Sequence, residues 1–300
     1  MTELVTSVAR SLLPVVFALA LSGTASALDN PPAAPAEAKS AAAPASAFPD
    51  PQEVSVNDDT FTDAYFGMSL KLPSWKEGLQ GPPPSLVGNY VLDTFDEPGP
   101  GKTSLLIGAQ DTFFGAKPFK NAADMTEDFR TNNLPKIPHV EIEKAPATMT
   151  LAGHEFQRID YNAGGLYRTW LAADLRCHVL LLNFTGTERA DVEKSVKLLD
   201  DLKLAPDTGP LCVKGYVTRS TVTHVVVVPQ LQKGLKVPVR VIIGPDGNVR
   251  HVHVIRAPDD ILGLAIAAAI QKWQFKPYLV DGKPTEIETG VNLQTEGIPD

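Results

Sequence analysis

The chain has 300 residues, 43% of them hydrophobic and 21% charged, which excludes wholesale disorder and exceeds the usual size of one domain. A net charge of −8 argues against nucleic-acid binding, which needs a basic footprint. Two cysteines are too few for a disulfide scaffold or an all-cysteine zinc site, and 26 prolines against 22 glycines point to a proline-rich segment.

Residues 1–27 have the parts of an export signal. Arg10 is the positive n-region, Leu12–Leu21 the short apolar stretch and Ala25-Ser26-Ala27 an A-x-A cleavage site. The expectation is a mature periplasmic chain starting at Leu28. The alternative is an inner-membrane anchor facing the periplasm, because no charge falls from Ser11 to Leu28. Membrane contact is expected only if the segment stays uncleaved. Residues 28–52 are mostly Ala and Pro, a composition that cannot bury a core and serves as a semi-rigid spacer.

Residues 53–205 read as an α+β domain. Strands are expected at Tyr65–Leu72, Ser104–Ala109, Ala147–Leu151, Phe156–Tyr161, Tyr167–Ala173 and His178–Phe184. Helices are expected at Phe119–Asn132 and Glu188–Leu202, the second with Thr187 as its cap and Val192, Val196, Leu199 and Leu202 on one face. Gly101-Lys102-Thr103 mimics the end of a phosphate loop. Asp96 stands where the first glycine should be, and a strand follows where the motif needs a helix, so no nucleotide site is read there. No nucleophile, acid–base pair or metal set is visible, so neither enzyme activity nor a cofactor is expected. The opening Ala64-Tyr65-Phe66-Gly67-Met68-Ser69-Leu70-Lys71-Leu72-Pro73, followed by Trp75, resembles the start of PsbP-like extracytoplasmic domains.

In an exported protein Cys177 and Cys212 can pair, tying the last domain to the one before it; two free thiols are the alternative. Residues 212–295 form the last domain. Val237, Val239, Val241 and Ile243 alternate on a strand, Gly244-Pro245-Asp246-Gly247-Asn248 is a hairpin turn, and Val249–Ile255 returns. Pro258 opens a helix in which Leu262, Ile266, Ala269, Ile270 and Trp273 share a face. Thr285–Leu293 is the last strand, giving ββαβ. His251 and His253 lie two apart on the return strand; without a third ligand they read as a solvated face, and no metal site is expected.

The ordered set Asp246-Gly247, Ala268-Ala269, Trp273-Gln274-Phe275-Lys276-Pro277 and Gly282-Lys283-Pro284 resembles the TonB C-terminal domain, whose pattern is a D-G hairpin, an alanine-rich helix, W-x-F-x-P and G-x-P before a final strand. The resemblance implies a periplasmic module that binds an envelope or outer-membrane receptor peptide by strand addition, supporting transmembrane transport. The chain departs from the transducer pattern: its apolar N-terminal stretch, Ser11–Leu28, has no ionisable residue, its spacer is short, and a folded domain intervenes. An envelope-assembly or solute-binding role for the middle domain is therefore kept as the alternative. By the resemblance, Thr285, Glu286, Ile287, Glu288, Thr289, Gly290, Val291, Asn292 and Leu293 form the edge strand that takes the partner. Period-two alternation places Ile287, Thr289, Val291 and Leu293 on a buried face and Glu286, Glu288, Gly290 and Asn292 on an open one, where the two glutamates would discourage indiscriminate pairing.

Overall fold

The computed structural model describes residues 49–78, 81–99, 102–115, 119–206, 209–227, 231 and 234–294. The expected leader, its cleavage site and most of the spacer lie outside them. Residues 45–300 form one compact unit. The fold is α+β, with few helices and much antiparallel sheet.

Strands β1 (Val54–Asn57), β2 (Thr60–Asp63) and β3 (Met68–Lys71) form a small antiparallel sheet in that order. Asp58 and Asp59, both at positive φ, make the two-residue turn between β1 and β2. The strand expected from Tyr65 begins only at Met68. Asp63 Oδ1 accepts the Phe66 N–H at 3.1 Å and Gly67 sits at φ +55°, so Tyr65 and Phe66 belong to a turn. A Cβ on Gly67 would lie 2.4 Å from that of Ala205.

An eight-stranded antiparallel sheet follows. Its strands are β4 (Lys76–Glu77), β5 (Asn89–Asp96), β6 (Ser104–Asp111), β7 (Val140–Ile142), β8 (Ala147–Leu151), β9 (His154–Ala163), β10 (Leu166–Leu175) and β11 (His178–Gly186). The order is β4-β5-β6-β11-β10-β9-β7, with β8 also paired to β9. Both faces are buried. One packs Leu105, Ile107, Leu180, Leu182 and Phe184 against the first sheet and helix α2 (Arg189–Val196). The other packs Ile159, Tyr161, Trp170 and Leu181 against helix α1 (Ala122–Asp128). Two-sided burial explains the near-continuous apolar run of β11. Helix α1 starts later than expected because Asn121 caps it, its side chain accepting the Asp124 N–H at 2.9 Å. At α2 the cap position is Glu188 rather than Thr187, and no side-chain bond closes it.

The C-terminal region comprises β12 (Leu211–Cys212), β13 (Val222–His224), β14 (Val237–Ile243), β15 (Val249–Val254), helix α3 (Asp260–Ile270), β16 (Gln274–Phe275), β17 (Tyr278–Val280), β18 (Lys283–Thr285) and β19 (Ile287–Leu293). Its main sheet has the order β12-β19-β14-β15, with β12 parallel to β19 and the other pairs antiparallel. The expected ββαβ is β14-β15-α3-β19. Helix α3 is capped by Asp259, whose side chain accepts the Leu262 N–H at 2.8 Å, one residue after Pro258. The expected last strand divides at Glu286: Thr285 ends β18, which pairs with β17 around the Asp281-Gly282 turn.

Val237, Val239, Val241, Ile243, Ile287, Val291 and Leu293 face α3 together with Trp273 and Phe275. Gly247 is required where it stands. It takes φ +78°, and a Cβ there would sit 2.0 Å from the Phe275 carbonyl oxygen, whose residue's N–H donates to Gly247 O at 2.8 Å. The D-G hairpin is thereby bonded to the W-x-F segment. Trp273 Nε1 donates to Val226 O at 2.8 Å.

Candidate functional site

The direction of each main-chain group on β19 follows from its register with β14. Pro238 lies opposite Asn292, Arg240 opposite Gly290 and Ile242 opposite Glu288. The Pro238 carbonyl accepts the Ile255 N–H at 3.0 Å, so its main chain faces the β15 side. In an antiparallel pair such residues form the non-hydrogen-bonded set, so Glu288, Gly290 and Asn292 turn N–H and C=O away from β14. Leu211 N–H donates to Glu286 O at 3.1 Å and Val213 N–H to Glu288 O at 2.9 Å, on that same outer side.

The outer edge of β19 is thus divided. Its first part is occupied by β12, with Leu211 opposite Ile287 and Cys212 opposite Glu288. At Gly290 and Asn292, no strand among the described residues pairs on the outer side. The edge expected along all of Thr285–Leu293 is therefore shorter. Thr285 belongs to the β17–β18 ribbon, and β12 covers Ile287 and Glu288. Strand β12 is also tied to the middle region by the disulfide between Cys177 and Cys212.

The face expected to be open is covered too. Gly290 abuts the middle region so closely that a Cβ would lie 2.6 Å from Phe113 Cβ and 2.7 Å from Phe114 Cζ. Glu288 is 3% exposed, so it is not a solvated gatekeeper. It accepts from Arg240, Nη2 to Oε1 at 2.6 Å. Arg240 Nη1 also donates to Asp111 Oδ2 of β6 at 2.5 Å, and Nη2 to Tyr65 Oη at 2.8 Å. Two buried carboxylates from different regions thus share one guanidinium.

His178 completes the cluster. Its Nε2 lies 2.6 Å from Arg240 Nη1 and its Nδ1 2.9 Å from Arg176 O. Burial and the Arg240 charge hold the imidazole well below its usual range, so it is neutral. That fixes the tautomer: Nδ1–H donates to the carbonyl and Nε2 accepts from the guanidinium. Tyr65 Oη donates to the same carbonyl at 2.9 Å, and burial pushes its phenol well above the usual range. For Arg240, burial works against the charge, but Asp111 and Glu288 outweigh it. The cluster contains acid, base and cation, but its Arg240, Asp111, Glu288 and His178 side chains are at most 4% exposed.

His251 and His253 do share a face, but it is only partly solvated. Asp50, at the end of the spacer, bonds both, Oδ1 to His251 Nε2 at 3.0 Å and Oδ2 to His253 Nδ1 at 2.8 Å. Burial raises the Asp50 carboxyl, yet the two histidine hydrogen bonds hold it well below the usual range. Among the described residues no group of His, Cys, Asp and Glu has metal-binding geometry. The remaining motif residues are structural: Asp246 accepts the Asn248 N–H at 3.1 Å, Gly282 turns at φ +76°, Pro284 pairs opposite Leu279, and Pro277 follows the buried Phe275.

Residues 232–294 match the family described as Gram-negative bacterial TonB protein C-terminal. No curated protein sequence matches the chain. Among solved structures, the chain is similar to cyanobacterial PsbP (CyanoP) from Synechocystis, at 12% identity and TM-score 0.37, over 49% of this chain and 91% of that one. It is similar to a Pseudomonas aeruginosa protein of unknown function at 20% identity and TM-score 0.31, over 51% of this chain and 96% of that one. A Bacteroides thetaiotaomicron protein gives 11% identity and TM-score 0.29, over 48% and 47%. These three likenesses carry no argument about function. The PsbP likeness read at Ala64–Trp75 has a weak counterpart in the first of them. No helix among the described residues is long and apolar enough to cross a membrane.

Proposed function

We propose that this chain is a TonB-like protein of the cell envelope that binds a partner's extended peptide as an added strand on the outer edge of β19, at Gly290–Asn292. The observation that carries the reading is the outward main chain of those residues, derived from the Pro238–Asn292 register. An unpaired edge of this kind gives a peptide main-chain hydrogen bonds and leaves specificity to alternate side chains. The family match over residues 232–294 supports an envelope setting and a receptor or envelope-protein peptide as partner. The export signal read at residues 1–27 supports a periplasmic location. In this reading the middle region is a mount for the binding sheet, and the chain binds without catalysing, since its collected acid–base groups are sealed from solvent.

A photo-crosslinking residue at Asn292 of the full-length protein, in intact envelopes, tests the proposal. Capture of a discrete partner from Asn292, and not from exposed Leu86 of the middle region, supports it. Capture from Leu86 alone moves recognition to the middle region.

A further inference from the structure

Strand β12 lies where a partner strand would lie. It is parallel to β19, and its Leu211 and Val213 N–H groups use the outward carbonyls of Glu286 and Glu288. After Val213 the chain leaves the edge through Lys214 and Gly215, the latter at φ +68°. Its side chains give it little hold: Leu211 is 45% exposed, and Cys212 is also exposed. The strong tie is covalent. Cys212 is bonded to Cys177, which sits buried in the β10–β11 turn of the middle region. A short run of main-chain hydrogen bonds and one half-buried side chain, Val213 against the C-terminal core, are a modest attachment once such a tie is cut.

We propose that β12 is an internal stand-in for the partner strand, latched by the Cys177–Cys212 bond, and that a dithiol reductant opens the latch. The proposal rests on the reading of β19 as the docking edge. Opening extends the available edge from Gly290–Asn292 back to Glu286. It exposes four alternate outward positions, Glu286, Glu288, Gly290 and Asn292, instead of two.

The chemistry balances as thiol–disulfide exchange. A thiolate of the reductant attacks the sulfur of Cys212, the more exposed residue of the pair, the bond to Cys177 breaks, and Cys177 leaves and takes a proton. The reductant's second thiol then displaces Cys212, which takes the other proton as the reductant closes to a disulfide. Two electrons pass to the protein and two thiols form. The buried Cys177 thiol has an acceptor waiting, because its Sγ lies 3.5 Å from Glu288 Oε2.

The test uses the full-length protein, oxidised, reduced with dithiothreitol, and as the Cys177→Ser/Cys212→Ser double variant. Amide hydrogen exchange is read at Leu211 and Val213, with Val239 and Val241 of β14 as controls. Release of the latch should speed exchange at Leu211 and Val213 by on the order of 100-fold and leave β14 protected. In envelopes, a photo-crosslinker at Glu286 should capture a partner from the double variant, whereas the oxidised protein captures from Asn292 alone. Unchanged exchange at Leu211 and Val213 means that β12 is held by packing, and overturns the latch. Loss of protection throughout β14 makes the bond a global staple, and overturns it too. So does a capture pattern that is the same in both redox forms. No capture from Asn292 in any form instead sinks the reading of β19 as the docking edge, and the gating role with it; the exchange data separate the two failures.

Discussion

Toward α3, strands β14 and β19 present Val239, Val241, Ile287 and Val291 to Ile266, Ile270 and Trp273; toward the middle region the same strands present Arg240, Glu288 and Gly290. The first interface is apolar and non-directional, so any residues of about the right volume would fill it. The second is held by one guanidinium between two carboxylates, and every member depends on the others being in place. One face therefore gives the sheet its stability, and the other fixes its position on the middle region. The proposed docking edge lies between them, held from both sides.

The largest effects come from breaking either interface. Arg240→Ala leaves Asp111 and Glu288 buried without a cation and should cost about 3–5 kcal/mol in denaturant unfolding. Trp273→Ala removes a fully buried ring and should cost a similar ~3–5 kcal/mol. Rescue separates them. Adding Asp111→Asn and Glu288→Gln to Arg240→Ala should recover much of the loss, because the stranded charges go, and should do nothing for Trp273→Ala. If the triple variant is no more stable than Arg240→Ala, the polar interface is not electrostatic in origin.

Gly290→Val probes the closest approach of the two regions. Its Cβ would collide with Phe113 and Phe114, so unfolding should shift by about 1–3 kcal/mol. A neutral result would mean that the regions part readily.

A buried acid without a full cation partner should behave differently from Asp111. Burial pushes Asp63 up to about 7, against the pull of the Phe66 N–H, and its Oδ2 has no partner among the described residues. The unfolded chain loses this proton near 3.8 and the folded one near 7, so this stabilisation is complete at low pH and lost as pH rises through that window. The stability difference between wild type and Asp63→Asn should therefore move against wild type from pH 4 to pH 8; a difference that does not change with pH contradicts the assignment. The smallest effect is expected at Asp50→Asn, where a partly exposed pairing with His251 and His253 contributes at most ~1 kcal/mol to stability measured near pH 6.

Much of the C-terminal region was legible because its signals are local. Alternation in β14, the D-G turn and the W-x-F aromatics each act over a few residues, and the structure bonds the last two together. The polar interface was not legible, because Arg240 and Asp111 are 129 residues apart in sequence. Read alone, Glu288 is one exposed position on an alternating strand; only the middle region makes it an inside residue. Asp50 reaches His251 across 201 residues in the same way. Strand β12 has two residues and no pattern, so only the cysteine hinted at it. Strand β5 was missed because Asp93 and a bulge between Val91 and Asp93 interrupt its alternation. The proposed docking edge was half legible: the strand was expected, but its occupied first part was not.

Proline scanning of β19 tests the central claim most directly. The Asn292 N–H faces outward, so Asn292→Pro should keep the wild-type melting temperature while partner binding falls roughly three- to tenfold, the equivalent of one main-chain hydrogen bond. The Val291 N–H faces β14, so Val291→Pro should instead unfold the sheet. Wild-type partner binding by a folded Asn292→Pro protein would contradict the account, and so would a melting temperature for Asn292→Pro as low as that of Val291→Pro.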